Sequence, residues 1–168
     1  MTYFPSLQIA SDNVDKEWVN DPVRMDLDFI KKFIITFGII SSVFDFITFF
    51  ILLFVFQASP VSLHTAWFVE AVISATLAML IVRTPRPFVK SKPNQKLFYS
   101  IALVDALVVY LPFSPLKDML GFVEPAPSLL LGIVLIVLAY VLLLELVKQK
   151  FYKHNSLQRH FFFLKKFY

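Results

Sequence analysis

Four stretches of this chain stay apolar long enough to cross a bilayer, and short polar segments separate them. About 30 Å of hydrocarbon at a 1.5 Å rise per residue asks for roughly 20 helical residues. Residues 33–56 are nearly all Phe, Ile, Leu or Val, interrupted by Thr36, Gly38, Ser41, Ser42, Asp45 and Thr48. Residues 66–82, 97–113 and 128–147 repeat the pattern. The second and third of these spans are short, so their ends are expected to reach into the interface or the bilayer to thin around them. Residues 57–65 read as a tight turn, and residues 114–127 as a loop punctuated by Pro115, Gly121, Pro125 and Pro127. Pro85 and Pro87 stop the second span, because neither has an N–H to continue a helix. The expected fold is an all-α integral membrane protein of four transmembrane helices over residues 33–147. A polar lead-in, residues 1–32, precedes it, and a basic aromatic tail, residues 148–168, follows.

Composition and charge sharpen that picture. Hydrophobic residues make up 58% of the chain, above the roughly half of an ordinary soluble domain, and the mean hydropathy is +0.70. Of the 16 Lys and Arg, all but Lys117 fall in the lead-in, in the loop after the second span, or in the tail. Positive loops stay in the cytoplasm, so both termini are expected there, with a basic face toward anionic lipid and no call for a nucleic-acid partner. The tail interleaves aromatics with Lys and Arg and is expected in the membrane interface. Six acids among the first 28 residues and no positive n-region argue against a signal peptide.

Several chemistries are excluded. Without cysteine there is no disulfide and no thiolate site. Three glycines, Gly38, Gly121 and Gly132, build no phosphate-cradling loop. His64, His154 and His160 are scattered over opposite sides and read as solvated polar residues. No catalytic residue is expected.

The acids inside spans remain. A carboxylate in hydrocarbon is costly unless it is neutral, paired or facing water. Glu145 stands three residues before Lys148 near the interface, where pairing or snorkelling accounts for it. Asp45 and Asp105, each beside small residues, read first as helix-packing hydrogen-bonders and second as cation contacts. Glu70 has Thr65 and Ser74 nearby, the hard oxygen set that Mg2+ or Ca2+ requires. Its chemistry alone leaves ligand and buried neutral acid both open.

The strings DNVDKEW (12–18), FGIISSVFDFITFF (37–50), TAWFVE (65–70) with VRT (82–84), LPFSPL (111–116) with LGFV (120–123), and ELVKQKFY (145–152) resemble, in order and spacing, the magnesium-transporting P-type ATPases. The likeness covers about residues 4–153 and corresponds to the C-terminal region of such pumps, helices seven to ten. It implies that the phosphorylated aspartate, in an Asp-Lys-Thr-Gly-Thr motif, and the main cation ligands of helices four to six belong upstream. Asp15, Lys16 and Glu17 begin like that motif and depart from it. The resemblance also implies that Glu70 falls where related pumps can place a helix-eight carboxylate, which makes it the cation-pathway and tentative metal candidate, with Mg2+ as transported ion. Asp45 and Asp105 gain nothing from it. Met1, Thr2 and Tyr3 replace an acidic stretch of the family, so the start reads as truncated, and the tail after Lys153 departs as well.

The functional expectation is a multi-pass segment of the cell membrane that supports ATP-driven cation transport together with a separately encoded P-type ATPase catalytic chain. The alternative is a remnant or stand-alone subunit with a scaffolding or regulatory role. An unrelated four-helix carrier or channel is a third class, and it would need to oligomerise to enclose a pathway.

Overall fold

Backbone chemistry at the helix ends sets the frame of the computed structural model, which describes residues 2–9, 12 and 27–165. Most of the DNVDKEW string, including Asp15, Lys16 and Glu17, lies outside the described residues, as do the side chains of His154 and His160. A short helix α1 (Tyr3–Gln8) precedes α2 (Leu27–Phe50), which continues through a π turn at Ile51–Val55. Then come α3 (Pro60–Val82), α4 (Gln95–Tyr110) with a 3-10 turn at Leu111–Phe113, the one-turn α5 (Lys117–Leu120), and α6 (Pro127–Lys165). Among the described residues four helices are long and apolar enough to span a membrane: Leu27–Val55, Pro60–Val82, Gln95–Phe113 and Pro127–Lys153.

The stretch 57–65, expected as a turn, is helical from Pro60 onward. Ser59 caps the helix by accepting from Ser62 N at 3.3 Å, and Pro60 occupies the first position, where its missing N–H costs nothing. Chain reversal is confined to residues 56–59, where Gln57 takes a left-handed φ of 46°. Asn94 caps α4 through Lys96 N at 3.0 Å. Gly121, at φ 67°, ends α5, the position where a residue without Cβ meets no steric penalty. The tail continues α6 as helix as far as Lys165, so α6 is about 58 Å long and exceeds the hydrocarbon thickness.

α3 is the central helix, packing most extensively on α6 and next on α4. Toward α6 and α2 it presents Ala66, Glu70, Ile73, Leu77 and Ile81, a stripe at three- and four-residue spacing. Ala66 meets Leu52, Leu129, Ile133 and Val137 in one apolar cluster, while Ile81 joins Phe37, Phe44, Ile136, Tyr140 and Leu144 in another. Its other flank packs Val69 on Val104 and Val108, and Leu80 on Leu97 and Ile101.

Two polar anchors fasten the end that carries the basic loops. Asp12 Oδ1 accepts from Asn94 N at 2.7 Å and its Oδ2 from Arg83 Nη1, tying the lead-in to the loop after α3. Arg83 Nη2 donates onward to Ser91 O at 2.8 Å. Lys148 of α6 is fully buried and donates to Ile81 O at 3.0 Å and Arg86 O at 2.9 Å. It also lies 2.7 Å from Glu145 Oε2, outside hydrogen-bond alignment, so that contact is an ion pair. The expected role of Glu145 as the i,i+3 partner of Lys148 is met.

Candidate functional site

Helical periodicity places Ser41, Asp45, Thr48, Glu70 and Tyr140 along the junction of α2, α3 and α6. α2 and α3 run antiparallel, with Leu52 against Ala66 in one cluster and the rings of Phe49 and Trp67 5.1 Å apart. One turn inward from Leu52 is Thr48, and one turn inward from Ala66 is Glu70, so these two share a layer. Both are fully buried. Neither oxygen of Glu70 and not the hydroxyl of Thr48 has a hydrogen-bond partner. Ser74, one turn on, donates to Ala71 O at 3.2 Å, and its hydroxyl lies within polar reach of the Glu70 carboxyl.

One turn further along α2, Asp45 lies within electrostatic reach of Glu70, and both reach Tyr140. Tyr140 OH is 2.8 Å from Ser41 Oγ, whose proton goes to Phe37 O at 2.9 Å, so the tyrosine is the donor. Asp45 itself is exposed on the flank of α2. This polar column therefore runs from an open carboxylate, Asp45, to an enclosed one, Glu70, with Thr48 at about the depth of the latter on α2. An unpaired polar group buried this way costs about 1–3 kcal/mol, and a charge costs more. The layer suits either a neutral acid or a positive guest.

Asp105 belongs to a different place, the α3–α4 seam. Thr76 Oγ1 is 2.7 Å from its Oδ1, and also 3.0 Å from Val72 O and 2.9 Å from Ile73 O. One hydroxyl proton serves one acceptor, so the set closes with every proton used when a neutral Asp105 donates to Thr76 and Thr76 donates to its own helix. Asp105→Asn, whose amide also donates, is expected to leave helix packing within about 0.5 kcal/mol of wild type, and Asp105→Leu to cost about 1 kcal/mol. Unfolding midpoints in mixed detergent micelles measure this. A larger loss for the amide than for leucine contradicts the assignment.

Of the four acids inside spans, the fold sets Asp45 within electrostatic reach of Glu70, holds Asp105 apart and pairs Glu145 with Lys148. Thr48 and Tyr140 were not marked as site residues. The signal for Thr48 was its i+3 spacing from Asp45. Tyr140 offered only its hydroxyl in an otherwise aliphatic span. On the opposite side of the membrane unit, Thr65 Oγ1 accepts from Val123 N at 3.0 Å and pins the α5–α6 loop to α3. The His64 ring lies 5.3 Å from that of Phe122. Lys117 donates to Glu124, which raises the lysine above its ordinary range. Among the described residues no three His, Asp or Glu side chains converge as a metal site.

Comparison with known proteins adds three findings. The family described as "Cation transporting ATPase, C-terminus" matches residues 1–149. A "Magnesium-transporting ATPase, P-type 1" of Salmonella typhimurium (strain LT2) is 33% identical over 153 residues, covering 88% of this chain and 17% of that protein. The protein of the same name in Escherichia coli (strain K12) is 36% identical over 145 residues, covering 83% of this chain and 16% of its own length. The chain therefore spans about a sixth of the relatives it matches.

Proposed function

The chain belongs to the family of cation-transporting ATPase C-termini, and on that premise we propose that it serves as the last membrane segment of a Mg2+ pump, supporting ATP-driven transport together with a catalytic part. It is a membrane protein matching only the C-terminal portion of pumps whose names state magnesium transport. In the split arrangement that part is a separately encoded P-type ATPase chain.

The observation that carries the reading is Glu70, a wholly enclosed carboxylate with neither oxygen bonded, in the same layer as an unbonded threonine hydroxyl. Evolution of a packing core does not require such a layer, since an aliphatic pair fills it at lower cost. A hard divalent ion does require it, as charge plus neutral oxygen. Mg2+ takes six oxygens in near-octahedral geometry. Glu70, Thr48 and Asp45 supply part of that set, and the remaining oxygens come from water or from helices of the catalytic part. The test is magnesium-dependent growth of a transporter-deficient strain carrying this chain with the catalytic part, against the catalytic part alone. Equal growth of the two strains contradicts the proposal.

The same reading orients the chain. With fifteen of the 16 Lys and Arg on one side, the lead-in, residues 83–96 and the tail face the cytoplasm. Since the chain has no cysteine, single cysteines report sidedness directly. Cysteine at Ser59 or Lys117 is expected to react with an impermeant maleimide in whole cells, and cysteine at Lys92 to be protected. Labelling at Lys92 alone reverses the orientation.

A further inference from the structure

Between Leu129 and Val147, α6 carries a single hydroxyl, that of Tyr140. The residue is buried, with its ring 4.9 Å from that of Phe44, in the apolar cluster that also holds Phe37, Ile81 and Leu144. Phenylalanine fills such a place without an oxygen to satisfy, so the hydroxyl calls for a reason of its own. Its depth suggests one. α3 and α6 run parallel, Ala66 sharing a cluster with Ile133 and Ile81 with Leu144, while α2 runs against both. Counting from those contacts sets Tyr140 level with Asp45, one turn from the Glu70 layer toward the end that carries the basic loops. Both carboxylates lie within its electrostatic reach.

The hydrogen bonds fix which way that hydroxyl faces. Tyr140 donates to Ser41 Oγ at 2.8 Å, and Ser41 donates to Phe37 O at 2.9 Å. A backbone carbonyl passes no proton on, so the chain is not a proton wire. With its proton turned to Ser41, the phenol oxygen keeps acceptor capacity and offers no donor to the carboxylates. A donor aimed at Asp45 or Glu70 would compete with a cation for their charge, and Ser41 withdraws it. We propose that Tyr140, oriented by Ser41, is a positioning residue for the transported ion: its oxygen accepts from a water that the hydrated divalent cation retains beside Asp45 and Glu70. This rests on the functional reading above and adds a residue and a hydration state to it. Mg2+ dehydrates reluctantly and keeps several waters where it is bound. A water on a dication is a strong donor, and in a site closed to solvent it needs an acceptor.

The test measures uptake of radioactive Mg2+ against its external concentration in a transporter-deficient strain carrying the chain with its catalytic part. Tyr140→Phe keeps the ring and removes the oxygen. It is expected to raise the half-saturating Mg2+ concentration about fivefold, the worth of one hydrogen bond, with the maximal rate within about twofold of wild type at equal abundance. Ser41→Ala frees the tyrosine proton to turn toward the carboxylates, so half-saturation is expected to rise here too. Ser41→Thr restores a hydroxyl that can hold that proton and is expected to recover most of the affinity lost with alanine. Ser41→Ala combined with Tyr140→Phe should match Tyr140→Phe alone, because the serine acts only through the phenol. A bond that merely ties α2 to α6 gives a different pattern: abundance and unfolding midpoint fall in both single variants, and half-saturation stays put. That pattern overturns the positioning role. So does half-saturation within a factor of about 1.5 of wild type for Tyr140→Phe, and where Glu70→Gln still lowers uptake the functional reading stands. Equal uptake by the catalytic part with and without this chain overturns both.

Discussion

Replacing Lys148 by methionine is expected to cost about 3 kcal/mol of stability. The reason begins with Pro85. In a continuing helix Ile81 O would accept from the N–H of the residue four positions on, and that residue has no N–H. The ammonium of Lys148 takes its place at 3.0 Å and reaches Arg86 O at 2.9 Å beyond the break. One side chain of α6 thus caps the end of α3 and fixes the proline turn. Methionine fills the same volume and leaves both carbonyls in a site from which water is excluded. Glu145, 19% exposed, turns outward when its partner goes, so the carboxylate carries little of the loss. Glu145→Gln with Lys148→Met should therefore be nearly as unstable as Lys148→Met alone. Denaturation in mixed micelles, followed by the fluorescence of Trp67 and Trp18, gives the midpoints. A cost under about 1 kcal/mol for Lys148→Met, or full recovery in the double variant, shows that the carbonyls find other partners.

The same residue marks where sequence reading stops. Lys148 closes an apolar run and counts, in the sequence, as one more basic residue of the tail. Its burial depends on Pro85, 63 positions earlier in the chain, arriving at the same depth. The four spans were legible because bilayer thickness is a length, and length is read directly. Helix starts were legible in principle, since Ser59-Pro60 and Asn94 are cap signatures. At residues 57–65 the polar composition suggests a longer turn than the cap at Ser59 allows, and the helix begins at Pro60. Which faces are inward was not legible. These helices are apolar all round, so no amphipathic stripe points to the core. Asp45 and Asp105 look alike in sequence, yet one is open on α2 and the other is held by Thr76. Glu70 was marked by its chemistry, but its enclosure with Thr48 follows from the pairing of α2 with α3.

Glu70→Gln is expected to lower magnesium-dependent growth about tenfold or more while this segment and the catalytic part remain at wild-type abundance. Glutamine keeps the volume and the hydrogen-bonding capacity of the acid and removes only the charge. A divalent ion passing the layer loses its one fully enclosed carboxylate, and interior charge is not replaced by a carbonyl dipole at equal strength. Thr48→Val supplies the second arm. It preserves shape and removes one neutral oxygen, so transport is expected to fall less than for Glu70→Gln while stability holds or rises, since an unsatisfied hydroxyl leaves the core. The two readings of the layer separate on this pair. If the layer passes the ion, both variants lose transport without losing assembly, and the double variant loses little more than Glu70→Gln alone because the two side chains serve one ion. If Glu70 is a neutral packing acid, glutamine substitutes without effect and Thr48→Val is silent or stabilising. Equal growth at equal abundance for Glu70→Gln removes the cation role and leaves Glu70 as a neutral packing acid.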